Sequence, residues 1–195
     1  MKDLLFFSNN QHKIIEISKI FSKTSINILS LNNFKKIKSP DETGLTFEEN
    51  AKIKSQFGLE KFKKNCFSDD SGICIDSMNG FPGINSKKFL EEEKGSQTKL
   101  KKIILTAKNK NNFNAFFQTT ICLSLSKNKN IFFTGKIKGK ISKEIKGVGG
   151  FGYDPIFIPS GHKLTFAEMN VEEKNLFSHR FKAISKLIIY INKLI

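Results

Sequence analysis

The first twenty-one residues constrain the fold most. The apolar run LLFF at 4–7 suits a short buried strand, and it stops at a polar stretch, Ser8, Asn9, Asn10, Gln11, His12 and Lys13. Ile14, Ile15, Ile17, Ile20 and Phe21 then recur at helical spacing, a strand–loop–helix opening. Residues 26–31 are a second strand candidate, and 35–44 are a polar loop with a proline. Thr46, Phe47, Glu48 and Glu49 form a capping box that opens a helix running to about Phe62. Residues 66–68 and 73–75 read as strands flanking Asp69, Asp70, Ser71 and Gly72. Leu100, Ile103, Ile104 and Ala107 make one face of a helix, and the Lys/Asn-rich residues 108–114 read as a solvated turn. Residues 115–125 alternate like a half-buried strand with which 130–139 pair, and 156–158 are a further short strand. Ile184, Leu187, Ile188, Ile191 and Ile195 form the apolar stripe of a C-terminal helix. Strands alternate with helices early and pair with one another late, which predicts an α/β fold with a mixed β-sheet.

With 195 residues, no repeat and no linker-like stretch, the expectation is one domain over 1–195. Hydrophobic residues at 38% and charged residues at 26% exclude a disordered or collagen-like chain. No apolar run approaches the ~18 residues of a membrane span. Residues 4–7 are too short for a signal-peptide core. The expected location is therefore cytoplasmic, away from membranes. The net charge of +15 suggests polyanions. Lysine, asparagine, isoleucine and phenylalanine are all abundant and tryptophan is absent, so compositional bias accounts for much of that charge. Arg180 is the single arginine among 33 basic residues. A chain that uses lysine almost everywhere is expected to retain a guanidinium where an ammonium would not serve, as in bidentate contact with phosphate or stacking on a base; chance survival of one surface arginine is the alternative. Cys66, Cys74 and Cys122 include no CxxC pair and read as buried structural thiols.

Four constellations carry chemistry. Residues 8–13 lie between a strand and a helix N-terminus, where free backbone N–H groups and Lys13 suit a phosphate, although an ordinary cap would look the same. Asp69 and Asp70 resemble a Mg²⁺ site, since hard cations prefer carboxylate oxygens; an Asx turn closed by Gly72 fits equally. Glu42 is a further loop carboxylate. Residues 147–155 (GVGGFGYDP) concentrate glycine and allow close backbone approach. There Phe151 and Tyr153 could stack on a base and Asp154 accept from its edge; a glycine-rich hairpin with core aromatics is the alternative. Finally, Lys174, His179 and Arg180 could converge on an anion before the last helix. If Ser178 instead caps that helix, His179 and Arg180 are surface residues, although cations are disfavoured there without an anion.

Taken in order and at these intervals, the segments 8–13, 42–54 (ETGLTFEENAKIK), 68–83 (SDDSGICIDSMNGFPG), 147–158 (GVGGFGYDPIFI) and 165–180 (TFAEMNVEEKNLFSHR) resemble the inosine triphosphate pyrophosphatase family. The resemblance spans nearly the whole chain. It implies a two-lobed α/β fold with a mixed sheet flanked by helices and a central cleft, assembled as a homodimer. It implies Mg²⁺-dependent hydrolysis of non-canonical purine nucleoside triphosphates (ITP, dITP, XTP) to the monophosphate and pyrophosphate, with no specific nucleic-acid partner. By position, Asp70 corresponds to the general base and metal-site carboxylate, and Asp69 and Glu42 complete the acidic cluster. Ser8, Asn9, Asn10, Gln11, His12, Lys13, Lys54 and Ser71 fall on triphosphate positions. Phe151, Gly152, Tyr153 and Asp154 fall on base-proximal ones, and Lys174, His179 and Arg180 on the remaining substrate contacts. One departure is Lys88, which stands where the family commonly has arginine, so a bidentate contact is lost there. The competing class is a basic nucleic-acid-binding protein without catalysis, but the lysines are scattered and no such module is legible.

Overall fold

In a computed structural model, residues 3–34, 37–91 and 95–194 are described. Ile195, the last residue of the expected C-terminal stripe, and residues 35 and 36 of the expected polar loop lie outside them. The chain runs β1 (Asp3–Phe6), α1 (Gln11–Phe21), β2 (Asn27–Ser30), α2 (Phe47–Phe62), β3 (Cys66–Ile75), α3 (Ser86–Glu91), α4 (Gly95–Asn109), β4 (Asn114–Ser126), β5 (Lys129–Ile141), β6 (Phe157–Pro159), α5 (Val171–Asn175) and α6 (His179–Asn192). The six strands form one sheet in the order β2-β1-β3-β4-β5-β6. β1 lies parallel to both β2 and β3, and β5 and β6 are antiparallel, so the sheet is mixed as expected.

Local chemistry accounts for the elements. β1 is buried from Leu4 to Phe6, as a strand with a parallel neighbour on each side must be. The Asn10 side chain caps α1 by accepting from the Lys13 backbone N–H at 3.2 Å. Ile14, Ile17 and Phe21 turn inward from that helix. The capping box of α2 is present: Thr46 Oγ1 accepts from the Glu49 N–H and Glu49 Oε2 from the Thr46 N–H, each at 3.1 Å. The helix ends at Lys63 in the left-handed region, φ 54°. The two-residue link between β4 and β5 admits only an antiparallel hairpin.

The chain divides into two compact units, Met1–Asp70 with Thr119–Gly135 and Arg180–Ile195, and Ser71–Gln118 with Lys136–His179. Each has its own core. In the first, Leu4, Phe6, Ile17, Phe67, Leu123 and Ile184 pack together. In the second, Ile73, Ile103, Phe117, Ile137, Phe157 and Phe166 do so.

Two expectations change. Residues 69–72 are not a turn between two strands; β3 runs unbroken from Cys66 to Ile75. The turn chemistry of Asp-Asp-Ser-Gly is overridden because each carboxylate finds partners outside the strand and Gly72 serves packing. A Cβ on Gly72 would meet the Gly83 carbonyl oxygen at 2.0 Å and Ser86 Oγ at 2.6 Å. Ser86 Oγ itself accepts from the Ile73 N–H and donates to the Gly83 carbonyl. The strand expected at 156–158 begins one residue later, with Ile156 ending a short 3₁₀ turn over Asp154–Ile156. Gly72→Ala should therefore force backbone movement and lower stability by about 1–3 kcal/mol. Urea unfolding tests this, and an unchanged midpoint would show that the close approach is soft.

Candidate active site

Residues flagged in the sequence fall into two groups, one in each unit. In the first unit the organising element is β3. Successive residues of a strand point to opposite faces, and Cys66 and Phe67 already join different clusters. Asp69 and Asp70 follow that alternation and meet different partners. Asp69 Oδ2 lies 2.8 Å from Lys13 Nζ at the start of α1. Asp70 Oδ1 lies 3.3 Å from Lys54 Nζ in the middle of α2, and the same ammonium is 3.0 Å from Glu42 Oε1. Both aspartates are almost fully enclosed, at 1% and 5% exposure, whereas the Glu42 side chain is 44% exposed. The two Lys54 contacts therefore differ in kind, one with a buried carboxylate and one with a partly solvated carboxylate.

Burial shapes the titration of each group. It raises the Asp70 carboxyl; Lys54 and Lys13 oppose this, Glu42 and Asp69 reinforce it, and the net effect is upward from the ordinary aspartate value. Burial pushes Asp69 the same way, but Lys13, Arg180 and Lys54 outweigh it and hold Asp69 well below that range. Burial lowers Lys54, yet Asp70, Glu42 and Asp69 more than reverse this and keep it firmly protonated. Lys13 goes the other way: burial, with Lys54 and Arg180 nearby, brings it below an ordinary lysine despite Asp69. Adjacent carboxylates are thus driven apart, Asp69 downward and Asp70 upward.

Asn50 was not singled out from the sequence. Its Nδ2 donates to Asp70 Oδ2 at 3.5 Å and its Oδ1 accepts from the Gly44 N–H at 2.8 Å, tying the loop after Glu42 to the aspartate. Asn50 and Lys54 are one helical turn apart and both buried, a polar pair on a face that the apolar pattern alone does not reveal. Glu16 was also missed. Arg180, 2% exposed, joins its Nη1 to Glu16 Oε2 and sets its Nε 3.7 Å from Asp69 Oδ2. The surface alternative for His179 and Arg180 is therefore overturned, since both are buried. In the loop before α1, Ser8 Oγ accepts from the Asn10 N–H, Asn9 Nδ2 donates to Ser39 Oγ, and the Gln11 amide faces Asn32. His12 is exposed. Within the segment Lys13 is joined to Asp69.

In the second unit Ser71 continues β3, half-buried. Asp154, 3% exposed, accepts from Lys174 Nζ at 2.7 Å and from the Phe151 N–H at 2.8 Å. Gly150 has φ 69°, and a Cβ there would meet Asp154 Oδ2 at 2.1 Å. The left-handed turn thus closes on the carboxylate, and Gly152 follows in the same region, φ 66°. Tyr153 is buried, its hydroxyl donated to the Ser86 carbonyl at 2.8 Å. Phe151 keeps a partly exposed ring, 5.0 Å from the Lys174 ammonium. His179 stacks on Phe117 at 4.7 Å with 10° between the planes. Lys174 lies on α5, a short helix with its own capping box at Asn170, in the segment before the final helix for which the sequence reading assigned no element. Lys88 is exposed on α3.

The low Asp69 pKa has a thermodynamic consequence. A carboxyl depressed in the folded state stabilises fully above its unfolded pKa and loses that contribution as pH falls, because the unfolded chain takes up the proton first. Urea midpoints of the metal-free protein should fall from about pH 4 downward, and Asp69→Asn should flatten that acid limb. An unchanged limb in the variant would assign the acid sensitivity to other groups.

Comparison with known proteins places the chain in a family. Residues 4–190 match the model of the Ham1 family. A dITP/XTP pyrophosphatase of Flavobacterium psychrophilum is 42% identical over 185 residues, 95% of this chain and 96% of that protein. A protein of the same description from Flavobacterium johnsoniae is 40% identical, covering 95% of each chain. The structure of the Staphylococcus aureus Ham1 protein superposes with a TM-score of 0.86 at 32% identity, covering 100% of both chains. With the fold, the ordered motifs and the full-length match in agreement, the chain belongs to the Ham1 family.

Proposed function

We propose that this protein hydrolyses non-canonical purine nucleoside triphosphates, ITP, dITP and XTP, to the nucleoside monophosphate and pyrophosphate. The observation that carries the reading is the ammonium of Lys54 held between Asp70 and Glu42, beside the Lys13–Asp69 pair. Its family setting supports the same reading, since the curated relatives described above are named dITP/XTP pyrophosphatases.

A triphosphate brings several negative charges, and phosphoryl transfer is catalysed mainly by positioning and charge stabilisation. Lys13 and Lys54 supply cations fixed by buried carboxylates, with the loop from Ser8 to His12 offering polar groups at a helix N-terminus. Asp70 orients a water and takes its proton; a carboxyl raised by burial is a better base than an ordinary one. Asp69 stays ionised and holds Lys13. Arg180, enclosed between Glu16 and Asp69, serves the phosphate side through Asp69. Phe151, with Gly152 and Tyr153 shaping its turn, serves the purine side together with Asp154, Lys174 and His179. A donor aimed at the purine 6-oxo group would face the amino group of adenine, a buried mismatch costing roughly 1–3 kcal/mol.

The donor set fits Mg²⁺. Among the described residues no group of three or more His, Cys, Asp or Glu stands ready to hold a metal. Mg²⁺ needs no such cage, since one or two carboxylates with substrate phosphates hold it. Asp70 and Glu42, already converging on one cation, are the residues that would hold it. When bound, it neutralises charge on the phosphate oxygens. No helix among the described residues is long and apolar enough to cross a membrane. We place the protein in the cytoplasm as a homodimer, as its family resemblance implies.

Purified protein with Mg²⁺ and ITP, XTP, GTP or ATP separately should release pyrophosphate from ITP and XTP and little from the other two. EDTA should abolish release. Orthophosphate alone would mean cleavage elsewhere in the triphosphate and would overturn the mechanism. Release from none of the four would move the reading to nucleotide or nucleic-acid binding without catalysis. Asp70→Asn should lower turnover by about 10²- to 10⁴-fold while the nucleotide still binds; unaltered turnover would remove Asp70 as the base.

A further inference from the structure

Glu16 sits in the middle of α1 at 7% exposure, a position a carboxylate rarely takes unless paired. It lies one turn after Lys13, so α1 presents an ammonium and a carboxylate on neighbouring parts of one face. Arg180, from the start of α6, reaches Glu16 through Nη1 and faces Asp69 through Nε. Asp69 in turn holds Lys13. Four buried or largely buried charges therefore alternate in sign, Glu16, Arg180, Asp69, Lys13, two acidic and two basic.

The distances inside this chain are unequal. Asp69 Oδ2 is 2.8 Å from the Lys13 ammonium and 3.7 Å from Arg180 Nε. A guanidinium is the stronger carboxylate partner in general, with a planar fork and weaker hydration. Left to compete, Arg180 should close on Asp69 and displace Lys13. It does not, and its Nη1 is joined to Glu16. We infer that Glu16 is a positioning residue: by engaging Arg180 it leaves Asp69 to Lys13, and so fixes the ammonium that meets the triphosphate. The inference rests on the proposed reading of Lys13 as a phosphate contact.

The variant Glu16→Gln keeps the shape and an acceptor oxygen and removes the charge. Arg180 then turns to Asp69, and Lys13 loses its anchor. The phosphates that Lys13 meets are already charged in the bound substrate, so the loss of its anchor should appear mainly in KM. KM for ITP should rise about tenfold or more, with kcat changed much less. In Glu16→Gln/Arg180→Gln the competitor is gone, so KM should return toward that of Arg180→Gln alone. A merely structural ion pair would lower the unfolding midpoint and leave the KM of the folded fraction alone, so midpoints are measured alongside. If Glu16→Gln does not fold, the comparison of Arg180→Gln with the double variant decides. Equal KM values show that Glu16 has no work without Arg180, and a further rise on losing Glu16 overturns the inference. An unchanged KM in folded Glu16→Gln, or strictly multiplicative losses in the double variant, also overturns it. Wild-type protein that releases no pyrophosphate from ITP would sink the functional reading and this inference with it. An active wild type with an indifferent Glu16→Gln would sink the inference alone.

Discussion

Burying a carboxylate costs several kcal/mol unless cations and donors reach it, and β3 buries two in succession. That constraint organises the first unit. Because consecutive strand residues face opposite ways, Asp69 and Asp70 cannot share one set of partners. Asp69 draws Lys13 from α1 and Arg180 from α6; Asp70 draws Lys54 and Asn50 from α2 and, through Lys54, the loop carboxylate Glu42. Three helices and a loop are thereby registered against one strand. The same alternation separates the chemistry. One carboxylate is surrounded by enough positive charge to stay ionised, while the other has weaker compensation and retains affinity for a proton.

Much of the framework was legible from periodicity. The opening strand and helix, the capping box at Thr46, the β4–β5 pair and the stripe of α6 all follow from apolar spacing and cap chemistry, since burial of one face decides these elements. Where the reading went astray, a local preference lost to a tertiary one. Asp-Asp-Ser-Gly has the composition of a turn, and it is held as strand because lysines from two helices neutralise the acids and Gly72 admits the Gly83 carbonyl. Neither partner is visible in a local window.

The chemistry-bearing residues were legible as types and less so as arrangements. Lys13, Lys54, Asp69 and Asp70 do come together in one unit, and Asp154 with Lys174 in the other. Asn50 and Glu16 escaped notice because each is one polar residue among several on its helix, a pattern that usually means a solvated face. Their own burial shows otherwise. In the glycine-rich segment composition left two readings open. Tyr153 is a core aromatic, Phe151 is half-buried, and Gly150 lets the backbone close on Asp154.

The lone arginine shows how a side chain's geometry can decide its survival in a lysine-rich chain. The expectation was that Arg180 persists because an ammonium cannot reproduce a forked contact. In the structure two carboxylates on separate elements face the guanidinium: Glu16 on α1, joined through Nη1, and Asp69 on β3, 3.7 Å from Nε. A lysine is a single point charge at the end of a flexible stem, and it could not direct separate N–H groups to two sides. A guanidinium engages Glu16 through one nitrogen and keeps positive charge beside Asp69, which Lys13 already holds. Its position at the start of α6, unfavourable for a cation by the helix dipole alone, is offset by those two anions. The need for one rigid, two-ended cation at this point is thus a physical reason for arginine there and lysine elsewhere.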